Sequence, residues 1–204
     1  NLAERYWRFE RWLREMEARV HSPVGVTGAV YAMKRECWHP LPPGLILDDL
    51  YAPMHLVLRG YRVGFDREAL AFDDRRFPSA QEFRRKVRTL TGVLQLCAWL
   101  PDVLVPWRNP IWMQFLFHKL LRLASPYLLL AIAVSLAAWL VGALRSATSP
   151  AVVAMGIAVL ALPAVLVFAV PRVRQGLVMA AAMQAAIVRA TVNGARGRWN
   201  VWSR

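Results

Sequence analysis

The second half of this chain contains no acidic residue, and this asymmetry limits the folds that it can adopt. All thirteen Asp and Glu residues lie at or before Asp102. Beyond that point, 127–144 is an uncharged run of eighteen residues and 151–170 is one of twenty. At about 1.5 Å per helical residue, each run can cross a bilayer core of about 30 Å. The pattern predicts a water-soluble half joined to a membrane half.

The basic residues lie beside the apolar runs, although the net charge of +13 could by itself suggest nucleic acid. We expect membrane lipids and no nucleic acid as partners, because the sequence contains no recognised nucleic-acid motif. Lys119 and Arg122 precede the first run, and Arg172 and Arg174 follow the second. The positive-inside tendency places both flanks in the cytoplasm and only the 145–150 linker outside. The protein is expected to be a multi-pass protein of a bacterial-type cytoplasmic (inner) membrane.

Two further segments of the membrane half are amphipathic or short. The stretch 111–123 has one apolar face with His118, Lys119 and Arg122 at its end, which is typical of a helix in the membrane interface. An ordinary core helix is the alternative. A third apolar segment at about 176–192 either crosses the membrane marginally or, as we prefer, lies in the interface. The expected divisions are a soluble part, a linker with the interfacial helix, and a transmembrane region of two to three spans, at 1–100, 101–124 and 125–204.

The soluble half shows both helical and strand-like patterns. Apolar residues recur at helical spacing in three stretches, at 2–20, 50–59 and 79–100. Three other stretches are rich in small, β-branched or aromatic residues and predict strands, at 25–33, 61–65 and 69–72. Together these elements predict an α/β domain.

Two adjacent carboxylates, Asp48 and Asp49, open an apolar-periodic segment that ends at a Gly-Tyr-Arg-Val sequence at 60–63. A helix N-terminus stabilises a carboxylate as an anion. A carboxylate that is ionised and fixed in place can take a proton from a hydroxyl nucleophile. The alternative is a structural pair, with an N-cap followed by a first-turn acid.

Three elements in order carry a resemblance to a known family. Gly28 and Ala29 come first, the Asp48 and Asp49 pair with 60–63 comes second, and the basic stretch 84–88 comes third, followed by a glycine and a glutamine. Together they resemble the second half of the catalytic domain of family 2 glycosyltransferases. These are inverting membrane enzymes that include the cellulose, hyaluronan and chitin synthases. The resemblance runs from about 1 to 202, is strongest over 25–95, and implies the acceptor-side half of an α/β GT-A domain.

The resemblance assigns a chemical role to the acidic pair. The second acid of the family's motif is the general base that deprotonates the acceptor hydroxyl, so this role falls on Asp49, with Asp48 supporting it. The family often carries a further acid two residues later, and Tyr51 occupies that place here. This departure changes the polar surroundings of the predicted base.

The family's QxxRW motif matches Arg85, Arg88 and Thr89, so the arginine is kept while the glutamine and the tryptophan are replaced. In processive members the tryptophan contacts the acceptor sugar, and its loss puts a processive polymerase in doubt. Arg85 and Arg88 lie three residues apart on one helical face, where they can meet a diphosphate. A solvated basic face is the alternative for the neighbouring Arg84 and Lys86. The residues implied to bind the donor diphosphate or the acceptor are Arg85, Arg88, Gln95, Gly28 and Ala29.

The resemblance also implies a cofactor and a reaction. A divalent ion, Mg²⁺ or Mn²⁺, is expected in the full-length enzyme, held by an Asp-x-Asp motif upstream of Asn1, so no metal site is expected in this chain. The expected reaction moves a sugar from a nucleotide-sugar donor to a glycan or lipid-linked acceptor at the cytoplasmic membrane face, as in polysaccharide synthesis. The alternatives are an enzyme that adds one sugar to a lipid, and a non-catalytic membrane fragment or subunit that lacks the nucleotide-binding half.

Overall fold

The described part of the chain is built from helices. The computed structural model describes residues 2–70, 79–146, 149, 153–154, 156 and 169–201. The α-helices are α1 Leu2–Val20, α2 Asp48–Leu58, α3 Ser79–Trp99, α4 Trp112–Phe115, α5 Leu121–Ser146 and α6 Pro171–Ala195. Short 3₁₀ turns lie at Arg35–Cys37 and Pro101–Leu104, and a π-helical turn at Leu116–Leu120 joins α4 to α5.

The three helices predicted for the soluble half are confirmed as α1, α2 and α3. The end of α2 explains why the glycine at 60 is a reliable stop signal. Gly60 has a φ of 87°, its N–H donates to Val57 O at 3.0 Å, and Tyr61 N–H donates to Leu56 O at 3.1 Å. This pair of bonds is a Schellman motif, which satisfies the last helical carbonyls and requires the left-handed conformation that glycine adopts without strain.

The prediction of an α/β GT-A domain is wrong, because the described residues contain no strand. The stretches 25–33 and 61–65 are irregular chain with isolated turns. The third predicted strand, 69–72, begins as irregular chain at 69–70 and continues outside the described residues.

The hydrogen bonds of these stretches give the physical reason. Val26 N–H donates to Asp49 O at 2.9 Å, and Val63 N–H donates to Ser22 Oγ at 2.9 Å. These backbone donors are therefore satisfied by a helix and by a side chain, with no ladder to a neighbouring strand. β propensity depends strongly on such context, so local composition alone overestimated the strands.

The core of the soluble half lies where α3 packs beside α2. On α3, Gly92 faces the two residues that precede α2, and an added Cβ would lie 2.7 Å from Leu47 Cδ1 and 3.1 Å from Ile46 Cγ2. The absence of a side chain at this position thus allows α3 to approach the chain just before Asp48 closely. Other buried apolar side chains around this contact are Leu50, Met54, Val57, Val87, Leu90 and Leu96.

The chain separates into two compact units, 1–123 with 189–204 and 124–188. Two helical stretches of the described part are long and apolar enough to cross a membrane, Trp112–Ala143 and Pro171–Ala195. The first includes the predicted run 127–144 up to residue 143. The second contains 176–192 and is longer than the short segment that we predicted. The predicted span 151–170 lies almost entirely outside the described residues.

Gly92→Ala is expected to destabilise the soluble half. Overpacking against Leu47 costs about 1–3 kcal/mol, which exceeds the gain of up to about 1 kcal/mol that alanine brings to a helix. The measurement is the thermal unfolding midpoint in detergent. Gly142→Ala is the matched control, because no described atom lies within 4 Å of its Cβ position. A midpoint for Gly92→Ala at or above that of the wild type would contradict the close contact.

Candidate functional site

The two predicted catalytic carboxylates occupy the first two positions of α2. Leu47 is the N-cap residue, with no side chain capping the helix, so neither aspartate is the N-cap that the structural alternative required. Asp48 is exposed and Asp49 is half-buried. The two carboxylates therefore differ in environment although they are adjacent in sequence.

The carbonyl of Asp49 is bonded outside its own helix. In an α-helix this carbonyl would accept the N–H of residue 53, but that residue is Pro53, which has none. Asp49 O instead accepts Val26 N–H at 2.9 Å. A proline inside α2 thus leaves an acceptor available, and the loop at 24–28 uses it to attach to the start of the helix.

This attachment brings Gly28 directly against the carboxylate of Asp49. A Cβ at Gly28 would lie 2.9 Å from Asp49 Oδ2 and 3.3 Å from Asp49 Cγ. Two of the predicted site elements, distant by 21 positions, are therefore in contact, and any side chain at position 28 would displace the carboxylate. Ala29, also predicted for the site, follows on the exposed side of the loop.

Gln95 is fully buried and holds the turn that leads into α2. Its Oε1 accepts Ile46 N–H at 2.8 Å, and its Nε2 donates to Gly44 O at 3.0 Å. Both ends of the amide are engaged with backbone groups. Gln95 therefore holds the turn from which Asp48 and Asp49 follow. Its contact with a donor or acceptor remains a prediction.

The predicted arginines share one face of α3 with the two residues that touch this turn. Arg85, Arg88, Gly92 and Gln95 recur at three- and four-residue spacing, which places them in one stripe. Arg85 is exposed and Arg88 is half-buried. Gly92 and Gln95 contact the turn before α2, and the two arginines lie on the same stripe, closer to the N-terminus of α3.

Asp49 has two cationic neighbours that the sequence did not indicate. Burial and the charge of Asp48 raise the pKa of Asp49, whereas Arg14, Lys119 and its own backbone N–H act in the opposite direction. The net direction is upward, opposite to the effect that we expected from the helix N-terminus. Arg14 Nη1 also donates to Thr27 Oγ1 at 3.3 Å, next to Gly28.

A buried polar cluster attaches α1 to the π-helical turn. His118 Nδ1 is hydrogen-bonded to Glu17 Oε1 at 2.8 Å, and its Nε2 to Glu10 Oε2 at 3.2 Å. Arg122 Nη2 donates to Glu10 Oε1 at 3.2 Å, and Val24 N–H donates to Glu17 Oε2 at 3.2 Å. The cluster therefore connects α1 and the turn to the loop that contacts Asp49.

Little in the sequence indicates this cluster. His118 was expected at the end of a helix in the membrane interface. The one available signal was the seven-residue spacing of Glu10 and Glu17, which places them on one face of a helix. Neither carboxylate could be paired with a residue about one hundred positions away.

No group of three or more His, Cys, Asp or Glu side chains in the described part is arranged to hold a metal ion. Glu10 and Glu17 bind opposite ring nitrogens of His118, so these three side chains do not converge on one point. The described residues therefore do not fit a metal centre.

Gln95→Leu is expected to lower the free energy of unfolding by about 2–4 kcal/mol. The buried N–H of Ile46 is left without a partner at about 1–3 kcal/mol, and the part-buried carbonyl of Gly44 loses a bond worth about 0.5–1.5 kcal/mol. The measurement is chemical or thermal unfolding in detergent. Gln114→Leu is the matched control, since the buried Nε2 of Gln114 has no hydrogen-bond partner among the described residues. Equal stability of the two variants would show that the Gln95 bonds do not hold the turn.

No family model, curated protein or solved structure matches this chain. The likeness to family 2 glycosyltransferases therefore rests on the motifs quoted above. What it implies about activity remains a prediction.

Proposed function

We propose that this chain is the acceptor-side part of a membrane-bound inverting glycosyltransferase, with Asp49 as the general base. The observation that carries the proposal is the placement of Asp49. It is a half-buried carboxylate at the start of α2, it lies against a glycine, and its pKa is raised. A base is most effective when its pKa is close to the working pH, and burial moves an aspartate in that direction.

The reaction is a single in-line displacement. The acceptor hydroxyl attacks the anomeric carbon of the sugar nucleotide, and its proton passes to the Asp49 carboxylate. The bond between the anomeric carbon and the nucleoside diphosphate breaks with its electron pair on the diphosphate, so the configuration inverts. Asp48, exposed beside Asp49, raises the pKa of the base by its negative charge.

The leaving diphosphate needs positive charge, and Arg85 and Arg88 are the proposed source. Guanidinium groups pair with phosphate oxygens in fixed geometry, and charge stabilisation of the leaving group lowers the barrier. Their shared stripe with Gly92 and Gln95 supports this role, because those two residues contact the turn that leads to the base.

The membrane half would hold the acceptor side of the site close to the lipid. Large apolar side chains of α5 are exposed along the run 127–144, as expected for contact with acyl chains. Asn193 Nδ2, near the end of α6, donates to Thr91 Oγ1 of α3 at 3.4 Å. Asn193 and Thr91 both belong to the unit formed by 1–123 and 189–204. Basic flanks at Lys119 and Arg122 support a cytoplasmic site.

Asp49→Asn is the direct test. The full-length enzyme in membranes, supplied with radiolabelled sugar nucleotides, is expected to lose transfer by about 10²–10⁴-fold, the usual contribution of a general base. Expression and membrane insertion should be unchanged. Asp66→Asn is the control, because Asp66 is exposed in a loop and its Oδ1 accepts Glu68 N–H at 2.8 Å.

The outcomes separate the candidate functions. Labelled polymer supports a synthase, and labelled glycolipid supports addition of one sugar to a lipid. If Asp49→Asn transfers sugar at the wild-type rate, the assignment of Asp49 as the general base is wrong. No labelled product with any sugar nucleotide would overturn the enzyme proposal in favour of a non-catalytic subunit.

A further inference from the structure

An aromatic pocket of about 390 Å³ opens along α2, beside the proposed base. It is formed by one face of that helix and by the chain between residues 31 and 41. The residues that matter chemically are Tyr31, Trp38, His39, Tyr51, His55 and Arg59. None of the residues that line it is acidic. Its volume lies within the range of about 300–1,000 Å³ that is usual for small-molecule sites.

The pocket and Asp48, the first member of the acidic pair, share one face of α2. Asp48, Tyr51, His55 and Arg59 follow one another at steps of three, four and four residues, which aligns them along the helix. Tyr31 lies on the opposite wall, and burial, followed by the charges of both carboxylates, raises the pKa of its hydroxyl. The pocket therefore adjoins the end of α2 that carries Asp49, the proposed base.

The walls of the pocket combine aromatic faces with polar edges. The rings of Tyr51 and His55 stack with centroids 6.0 Å apart and planes 8° from parallel, and His39 meets His55 edge-on at 5.5 Å. Trp38, on the opposite side, is 59% exposed. Exposed aromatic rings of this kind offer large apolar faces with little loss of conformational freedom on binding.

A histidine in the pocket has a lowered pKa, which favours its neutral form. Burial and the positive charges of Arg59 and His39 lower the pKa of His55. A neutral imidazole has one ring nitrogen that accepts a hydrogen bond and one that donates. It can therefore bond to a hydroxyl group, whose oxygen both donates and accepts, while Arg59 offers additional donors at the end of the pocket.

A pyranose ring has the complementary chemistry, with an apolar C–H face and a rim of hydroxyl groups. We propose that this pocket binds a sugar ring of the acceptor glycan, stacked on Tyr51 and Trp38 and hydrogen-bonded at its rim by His55 and Arg59. This inference rests on the proposed function and names where the acceptor is held. The pocket orients the acceptor so that one of its hydroxyls reaches the carboxylate end of α2.

The test is saturation-transfer NMR on the protein in lipid nanodiscs, without sugar nucleotide. The probes are the methyl β-glycosides of glucose, N-acetylglucosamine and glucuronic acid at millimolar concentration. We expect transfer to the ring C–H protons of at least one glycoside. Trp38→Ala and Tyr51→Ala should each weaken its binding by about tenfold, the loss expected when one aromatic stacking contact is removed.

Trp107→Ala is the matched control and should bind as the wild type does, because Trp107 is 85% exposed and lies outside the pocket. Trp38 is largely exposed, so its replacement leaves the core intact. Absence of transfer to all three glycosides, or equal binding by Trp38→Ala and Trp107→Ala, would overturn the proposal. Binding requires no turnover, so the two assignments can fail separately. A protein that binds sugar but transfers none would contradict only the enzyme assignment. A protein that transfers sugar but binds none of these glycosides would contradict only the assignment of the pocket.

Discussion

The hydrogen bond from Val26 N–H to the carbonyl of Asp49 is the interaction on which the candidate site depends. It exists because Pro53 offers no N–H to that carbonyl, so the acceptor is available to a partner outside α2. The bond fixes the loop 24–28 on the first turn of α2. This is how Gly28 comes to lie against a carboxylate 21 positions away.

Two further sets of contacts hold the turn before α2 and the loop 24–28 in place. Gln95 of α3 bonds to the backbone on either side of Leu45, which fixes the turn before α2. Glu17 of α1 accepts Val24 N–H and is itself held by His118 of the π-helical turn. The surroundings of Asp49 are thus built from elements far apart in sequence. One of them, the π-helical turn, continues directly into α5.

Local patterns predicted the helices well and the irregular parts poorly. Periodicity identified α1, α2 and α3, and the glycine at 60 marked the end of α2, because both signals act within a few residues. The stretch 25–33 has strand-like composition, yet its donors found partners on Asp49 and in a local turn. A strand depends on a neighbouring strand that local sequence does not specify.

The site itself was only partly predictable, because many of its contacts join residues that are far apart in sequence. The acidic pair, Gly28 and Gln95 were identified from short motifs, but the contacts that give Gln95 a structural role join positions about 50 apart. Arg14 and Lys119 act on Asp49 from two other elements, and neither lies in a motif. Likewise, His39 and His55 lie 16 positions apart and belong to no motif, and only the fold brings their rings into contact.

The most direct measurement is the titration of Asp49, followed by NMR of the ¹³C-labelled carboxyl group. We expect its pKa above the value of about 3.9 that is usual for aspartate, because burial and Asp48 oppose ionisation. Arg14→Met should raise it further, since the charge of Arg14 favours the carboxylate. The protonated, inactive form would then persist to higher pH. A pKa at or below the usual value, unchanged in Arg14→Met, would contradict the placement of Asp49 as a buried base.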